Sequence, residues 1–215
     1  MRLLTRFILV AAALALSLVG SAHAEAIIYK ASPAGSTVKI DGTSTIHNWT
    51  VEGKIIGGQF EADPGFPMNG TPDAGKASTK AKASIPIRSL KSGKTKMDEV
   101  MQEHMKAKDH PRIDFETTEM SVKVAPASAK DAIVFDAKGK LTISGVTKET
   151  AMIVTCDRSD ATKLKFKGET TLKMTDFGIQ PPAPSLALGL IKTGDEVKIT
   201  IEWVTAQART EAAAK

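Results

Sequence analysis

Through most of this chain apolar residues recur at every second position, and that period of two is what most limits the folds open to it. Successive side chains of an extended strand point to opposite faces, so the pattern marks strands with one buried and one wet face. The clearest stretch sets Leu164, Phe166, Gly168, Thr170 and Leu172 against Lys163, Lys165, Lys167, Glu169 and Lys173. Val197, Ile199, Ile201 and Trp203 alternate in the same way with Glu196, Lys198 and Glu202, as Ala77, Thr79, Ala81, Ala83 and Ile85 do with serines and lysines. His47, Trp49, Val51 and Ile55 share a face opposite Glu52 and Lys54, and Val38 and Ile40 precede them. Ile113 and Phe115, then Ile133, Phe135, Leu141 and Ile143, complete a set of about eight expected strands.

Stretches rich in Gly and Pro separate the strands, notably Asp63 to Lys76, Val124 to Ala132, and the run opening at Gln180-Pro181-Pro182. Gly57-Gly58 reads as a bulge or sharp bend. One segment keeps a helical period instead: from a capping Thr95, the residues Met97, Val100, Met101 and Met105 share a face, and Pro111 closes the segment. A methionine stripe of this kind packs a core, or lines or plugs one end of a lipid cavity. Eight short one-sided strands with one helix suit a closed antiparallel barrel or a sandwich. An eight-stranded barrel is wide enough to fill with side chains or to hold one slim ligand, and alternation does not choose between these. The outward lysines and glutamates argue against an outer-membrane barrel, because lipid rejects them.

The first 24 residues read as a secretory signal peptide: Arg2 and Arg6, an apolar run from Phe7 to Val19, and Ala22-His23-Ala24 as the cleavage site. That run is short of the roughly 20 residues a spanning helix needs, so no stable membrane insertion is expected. Cleavage after Ala24 implies a secreted protein. It leaves a barrel over 25–205 and an alanine-rich, charged tail over 206–215, expected to be a frayed helix or disorder. The whole chain carries +5. Without Arg2 and Arg6 the charge falls to +3, with lysines spread singly along strands, which is not the basic stripe of a nucleic-acid binder. A single cysteine, Cys156, excludes a disulfide framework and reads as a small packed residue at a strand end.

Chemical motifs are sparse. His47, His104 and His110 are not at a zinc-pair spacing, so no metal is expected. Ser92-Gly93-Lys94-Thr95 imitates the end of a P-loop, but Arg88 stands where its first glycine must be. No G-x-S-x-G elbow occurs and no catalytic residue or cofactor is assigned. His47 reads as a hydrogen-bonded residue of the apolar face, a head-group contact, or, in an enzyme reading, an acid or base. Asp176 reads as a turn cap. Arg88, Lys91, Lys94 and Lys96 crowd one loop and helix start, either as a solvated loop or as an attractor for a phosphate head.

Several motifs also resemble those of one family. Thr43-Ser44-Thr45-Ile46-His47-Asn48-Trp49-Thr50-Val51-Glu52-Gly53 resembles the opening strand pair of YceI-like proteins, and Gly58-Gln59-Phe60 their G-x-F turn. His110-Pro111-Arg112-Ile113-Asp114-Phe115 is similar to the element after their helix. Gly139-Lys140-Leu141-Thr142-Ile143-Ser144-Gly145-Val146-Thr147-Lys148 is the most specific match, a hairpin. Asp176-Phe177-Gly178-Ile179 and Gly194-Asp195-Glu196-Val197 resemble the closing motifs, so the likeness runs over about 36–204 in family order. The chain departs from the family pattern at His47-Asn48-Trp49, where a His-Ser pair is common, and at Lys106–His110, which lacks the usual aromatic pair.

The resemblance implies an all-β fold: an eight-stranded antiparallel lipocalin-like β-barrel with one short α-helix in the middle of the chain. It implies a periplasmic protein, possible as a homodimer, that carries a polyisoprenoid or similar long amphiphile, a quinone or a polyprenyl phosphate among them. Strand parity then makes His47, Trp49, Val51 and Ile55 lumen candidates, with Ile113, Phe115, Leu141 and Ile143. Phe166, Leu172, Phe177, Ile199 and Ile201 complete the set. The competing expectations are a solid barrel serving as a stress or interaction module, and an enzyme acting on an isoprenoid.

Overall fold

The computed structural model describes residues 25–160, 162–183 and 192–208. The signal peptide expected over 1–24 and the end of the tail lie outside these residues.

Eleven strand segments make one antiparallel sheet that closes on itself. They are β1 (Ile27–Ala31), β2 (Thr37–Ser44), β3 (Trp49–Gly53), β4 (Gly57–Ala62), β5 (Gly75–Lys76) and β6 (Thr79–Pro86). After the helix α1 (Thr95–His104) come β7 (Arg112–Val124), β8 (Ile133–Ile143), β9 (Val146–Asp160), β10 (Lys163–Lys173) and β11 (Thr193–Gln207). The 15-residue β11 explains why eleven segments give eight staves. One edge of it pairs with β2 along its first part and with β1 at its end. Strands β1 and β2 therefore form one interrupted stave, and β4 and β3, their respective partners, form the next. From β4 the sheet runs as a meander through β6, β7, β8, β9 and β10 back to β11, while β5 adds a short flap on β7.

The alternation holds in the wall. In β8 the inward set Ile133, Phe135, Ala137, Leu141 and Ile143 is buried, and outward Lys138 and Lys140 are exposed. Outward charges pair across strands, as Lys82 does with Glu116 (2.8 Å) and Lys198 with Glu169 (2.9 Å). Such exposed pairs set register more than they stabilise. The β8–β9 connection is a two-residue turn with φ of 52° at Ser144 and 81° at Gly145, the left-handed pair that matches the twist of a tight hairpin. Strand β11 ends in Ala206 and Gln207, opposite Lys30 and Tyr29.

The barrel's two ends are built differently. At one end an aromatic cluster fills the interior: Phe60 and Phe166 rings lie 4.9 Å apart, Phe166 and Trp203 5.5 Å, and Phe66 and Phe135 6.1 Å. Arg158, 6% exposed, points into the loops that cover this end. Its Nε donates to Asp131 O (2.8 Å), its Nη1 to Met68 O (2.8 Å) and Gly70 O (2.5 Å), and its Nη2 to Ser128 O (3.2 Å). One guanidinium thus ties the 63–74 loop to the 125–132 loop. Cys156, two residues back on the same face, is fully buried, and burial pushes its thiol up to about 12 against the opposing pull of the Arg158 charge. It is an inert packing residue.

At the other end α1 lies across the opening. Thr95 begins the helix rather than capping it: Lys94 occupies the cap position, with no side-chain bond to the first turn. The entry is fixed instead by Asp98, whose Oδ1 accepts from Ser92 N–H and Ser92 Oγ, both at 2.7 Å. The exit is fixed by Ser144 Oγ donating to Met105 O at 2.9 Å. Between β6 and α1, Lys91 exchanges two backbone bonds with Glu52, which closes the seam where β3 has no full-length neighbour.

Candidate ligand-binding site

A cavity of about 660 Å³ occupies the barrel between the aromatic floor and α1. That volume lies within the roughly 300–1,000 Å³ of small-molecule sites. The choice between a solid core and a lumen is therefore resolved along the barrel's length: solid at the Arg158 end, hollow at the α1 end. Small inward residues create the void. Ala81 and Ala83 on β6 and Gly168 and Thr170 on β10 stand where larger side chains would meet in the middle. Inward apolar residues of this half, among them Ile40, Phe115, Leu172, Ile199 and Ile201, are half-buried because they face that space.

Of the residues expected in the lumen, Trp49 and Val51 of β3 line the cavity, as do Ile113 and Phe115 of β7 and Leu141 and Ile143 of β8. Phe166 and Leu172 of β10 and Ile199 and Ile201 of β11 line it too, and Phe177 reaches it from a 3-10 turn at Met174–Phe177. Ile55 does not: it is 56% exposed, and Ile56, 3% exposed, lines the cavity in its place. The reason is a change of phase. Strand β3 ends at Gly53, and residues 54–56 are not extended strand, so odd residues face inward before the break and even ones, such as Phe60, after it.

His47 also departs from the parity reading. It lies outside the strands in the exposed β2–β3 turn, at the cavity's mouth. Its Nδ1 is 2.9 Å from Asn48 O, and a carbonyl only accepts, so Nδ1 carries the proton. His104, at the end of α1, is fixed the same way by Gln180 O at 2.8 Å. Ser44, beside them, donates its hydroxyl to His47 O at 2.7 Å, so no serine–imidazole pair forms. Ser44 is therefore not an activated nucleophile. The 3-10 turn is held by Asp195, not by Asp176: Asp195 accepts from Thr175 N–H (2.9 Å) and Thr175 Oγ1 (2.6 Å). These bonds to the ionised form hold its carboxyl below the usual range.

The basic cluster of the helix start divides. Lys94 and Lys96 line the mouth, joined across it by Lys173 of β10, whereas Lys91 turns to Asp98 at 3.8 Å and Arg88 is exposed elsewhere. No carboxylate is among the cavity-lining residues of the described chain. The site thus has a largely apolar barrel, a closed floor, and, among the described lining residues, charged groups at one rim.

Parity missed two contributions. Six methionines line the cavity: Met97 and Met101 from α1, Met105 just past its end, Met120 and Met152 from the wall, and Met174 from the 3-10 turn. The helical stripe, expected to pack a core or to line or plug one end of a cavity, lines the cavity. Strand β9 hid its inward residues Met152 and Val154 inside the continuous run Ala151-Met152-Ile153-Val154, where no alternation is visible.

A family model described as YceI-like domain matches residues 29–205. No curated protein matches. Among solved structures, the chain is similar to BcnA of Burkholderia cenocepacia, with TM-score 0.59 and 21% identity over 79% of this chain and 95% of that one. It is similar to a polyisoprenoid binding domain from Saccharophagus degradans implicated in plant cell wall breakdown, with TM-score 0.63 and 11% identity over 86% and 100% of the two chains. A YceI protein of Campylobacter jejuni aligns with TM-score 0.52 and 20% identity over 74% and 85%. At these identities the likeness is one of fold.

Proposed function

The chain belongs to the YceI-like domain family, and from that membership and the one-ended apolar cavity we propose that it binds and carries a polyisoprenoid or similar long amphiphile, without catalysing a reaction. The cavity's distribution of polarity carries the reading. An apolar barrel closed at its floor takes a hydrocarbon chain, each buried methylene contributing about 0.8 kcal/mol. Charged groups at one rim leave the head group at the mouth. The S. degradans polyisoprenoid binding domain, which shares the fold, supports this class of ligand.

The methionines suit a ligand of many conformers, because unbranched thioethers fill irregular gaps without fixing one shape. Lys94, Lys96 and Lys173 at the mouth favour a polyprenyl phosphate over a neutral quinone as the head group. The signal-peptide pattern of the first 24 residues supports a periplasmic carrier.

The test is native mass spectrometry of the protein isolated without detergent, followed by organic extraction. A stoichiometric adduct released as a prenyl lipid is the expected result and identifies the head group. A bare mass that stays unchanged after long isoprenoids are offered would overturn the reading.

A further inference from the structure

The mouth carries a feature that holding a ligand does not require. Ile46, at the tip of the β2–β3 turn, is 63% exposed although it borders an apolar cavity, and it stands out from the rim. Around it are Lys94 and Lys96 from the start of α1, Lys173 at the end of β10, and Lys192, whose backbone N–H and carbonyl bond Thr45 beside Ile46 (3.2 and 3.0 Å). Three of the nearby acids are engaged: Glu99 pairs with Lys96 at 3.2 Å, Asp98 is turned inward onto Ser92, and Asp195 is bound by Thr175, leaving exposed Asp176 on its turn and Glu196 opposite Lys173. The closed end is mixed in sign, with Asp63, Asp73, Asp131, Asp157 and Asp160 beside Lys76, Lys123, Lys130 and Lys163 in or next to its loops.

We propose that this rim is a docking surface for an anionic lipid bilayer, with Ile46 entering the headgroup layer and the lysines ringing it on the lipid phosphates. The two features reinforce each other: interfacial binding grows with buried apolar area and with attraction between basic side chains and anionic lipid. The geometry also gives docking a purpose under the carrier reading, since it sets the cavity mouth against the bilayer and lets a chain pass without crossing water. The docking itself does not depend on that reading.

The test is flotation of the protein, isolated without detergent, with vesicles of phosphatidylcholine alone or mixed with phosphatidylglycerol. Binding should be about tenfold or more stronger to the anionic vesicles and should fall in about 0.5 M salt. Ile46→Asp and the Lys94→Gln/Lys173→Gln pair should each weaken it severalfold. Val124→Asp, which alters an equally exposed apolar residue (67%) at the far end of β7, should leave it unchanged. Circular dichroism of each variant establishes that it is folded. Equal binding to neutral vesicles, no binding at low salt, or a loss in Val124→Asp matching that in Ile46→Asp would overturn the docking surface. Because flotation needs no cargo, that failure is distinct from a bare mass in native spectrometry, which overturns the carrier reading alone.

Discussion

Gly42 and Trp49 are paired across the β2–β3 hairpin, and the indole of Trp49 lies over the Gly42 backbone where any side chain would have to be. A Cβ at Gly42 would overlap the six-membered ring. The indole is held there by its Nε1, which donates to Thr43 O at 3.0 Å. An aromatic covering a strand glycine restores the packing the glycine lacks and fixes register. Here it also places the ring at the wall of the cavity. Gly42→Ala should force the indole out, break its bond to Thr43, and destabilise the protein by about 1 to 3 kcal/mol. Urea unfolding measures the loss, and a shift in tryptophan emission reports the displacement. An unchanged emission spectrum would contradict the packing described.

Gly168 offers the converse experiment. A Cβ there would meet Ile153 O and Met152 Sδ at 3.4 Å and Val154 Cγ2 at 3.5 Å, all ordinary contact distances, and the side chain would point into the void. Gly168→Phe should therefore fill the cavity without strain, and β-propensity favours the change. Thermal stability should hold or rise while uptake of a long isoprenoid falls by about tenfold or more. Uptake equal to that of the unaltered protein would place the ligand outside this cavity.

Arg158 closes the other end through four backbone carbonyls in two loops. Arg158→Leu leaves those acceptors unpaired under the loops, each costing about 1 to 3 kcal/mol if it finds no water. Destabilisation of at least about 3 kcal/mol is expected, with faster amide hydrogen exchange in 63–74 and 125–132. Arg158→Lys should recover little, because one ammonium cannot reproduce the fork of the guanidinium.

Asp98 gives the helix entry a pH dependence of known sign. Burial pushes its carboxyl up, but bonds from the Ser92 hydroxyl and backbone N–H and the nearby Lys91 charge outweigh that and hold it below the usual range. A carboxyl lowered by folding stabilises above its unfolded value, and that contribution is lost as pH falls through the folded one. Asp98→Asn should cost about 1 kcal/mol near neutrality, and the difference from the unaltered protein should shrink in acid. Denaturant unfolding at a series of pH values follows it. A difference that grows in acid would contradict this assignment.

The sequence by itself determined what a single strand can determine: which residues face inward, and hence a barrel or a sandwich with charged residues outside, between which the motif resemblance pointed to the barrel and the strand pairing closed it. The inward sets of β6, β8, β10 and β11 could be read directly, since a period of two is a property of each strand's own backbone. Tertiary structure decided the phase between β3 and β4, where three non-strand residues turn Ile55 outward and Ile56 inward. It decided that His47 belongs to a turn rather than a face. It also decided that the barrel is half solid and half hollow. A void is made by residues far apart in the chain, Ala81 and Ala83 meeting Gly168 and Thr170 across the interior, with the α1 methionines laid over them. The Arg158 closure has the same origin, joining carbonyls 88 and 90 residues away in the chain to others 27 and 30 away. Alternation fixes the direction of each side chain. Whether facing side chains meet or leave space depends on the sum of their volumes across the barrel, and that sum exists only once the strands are paired.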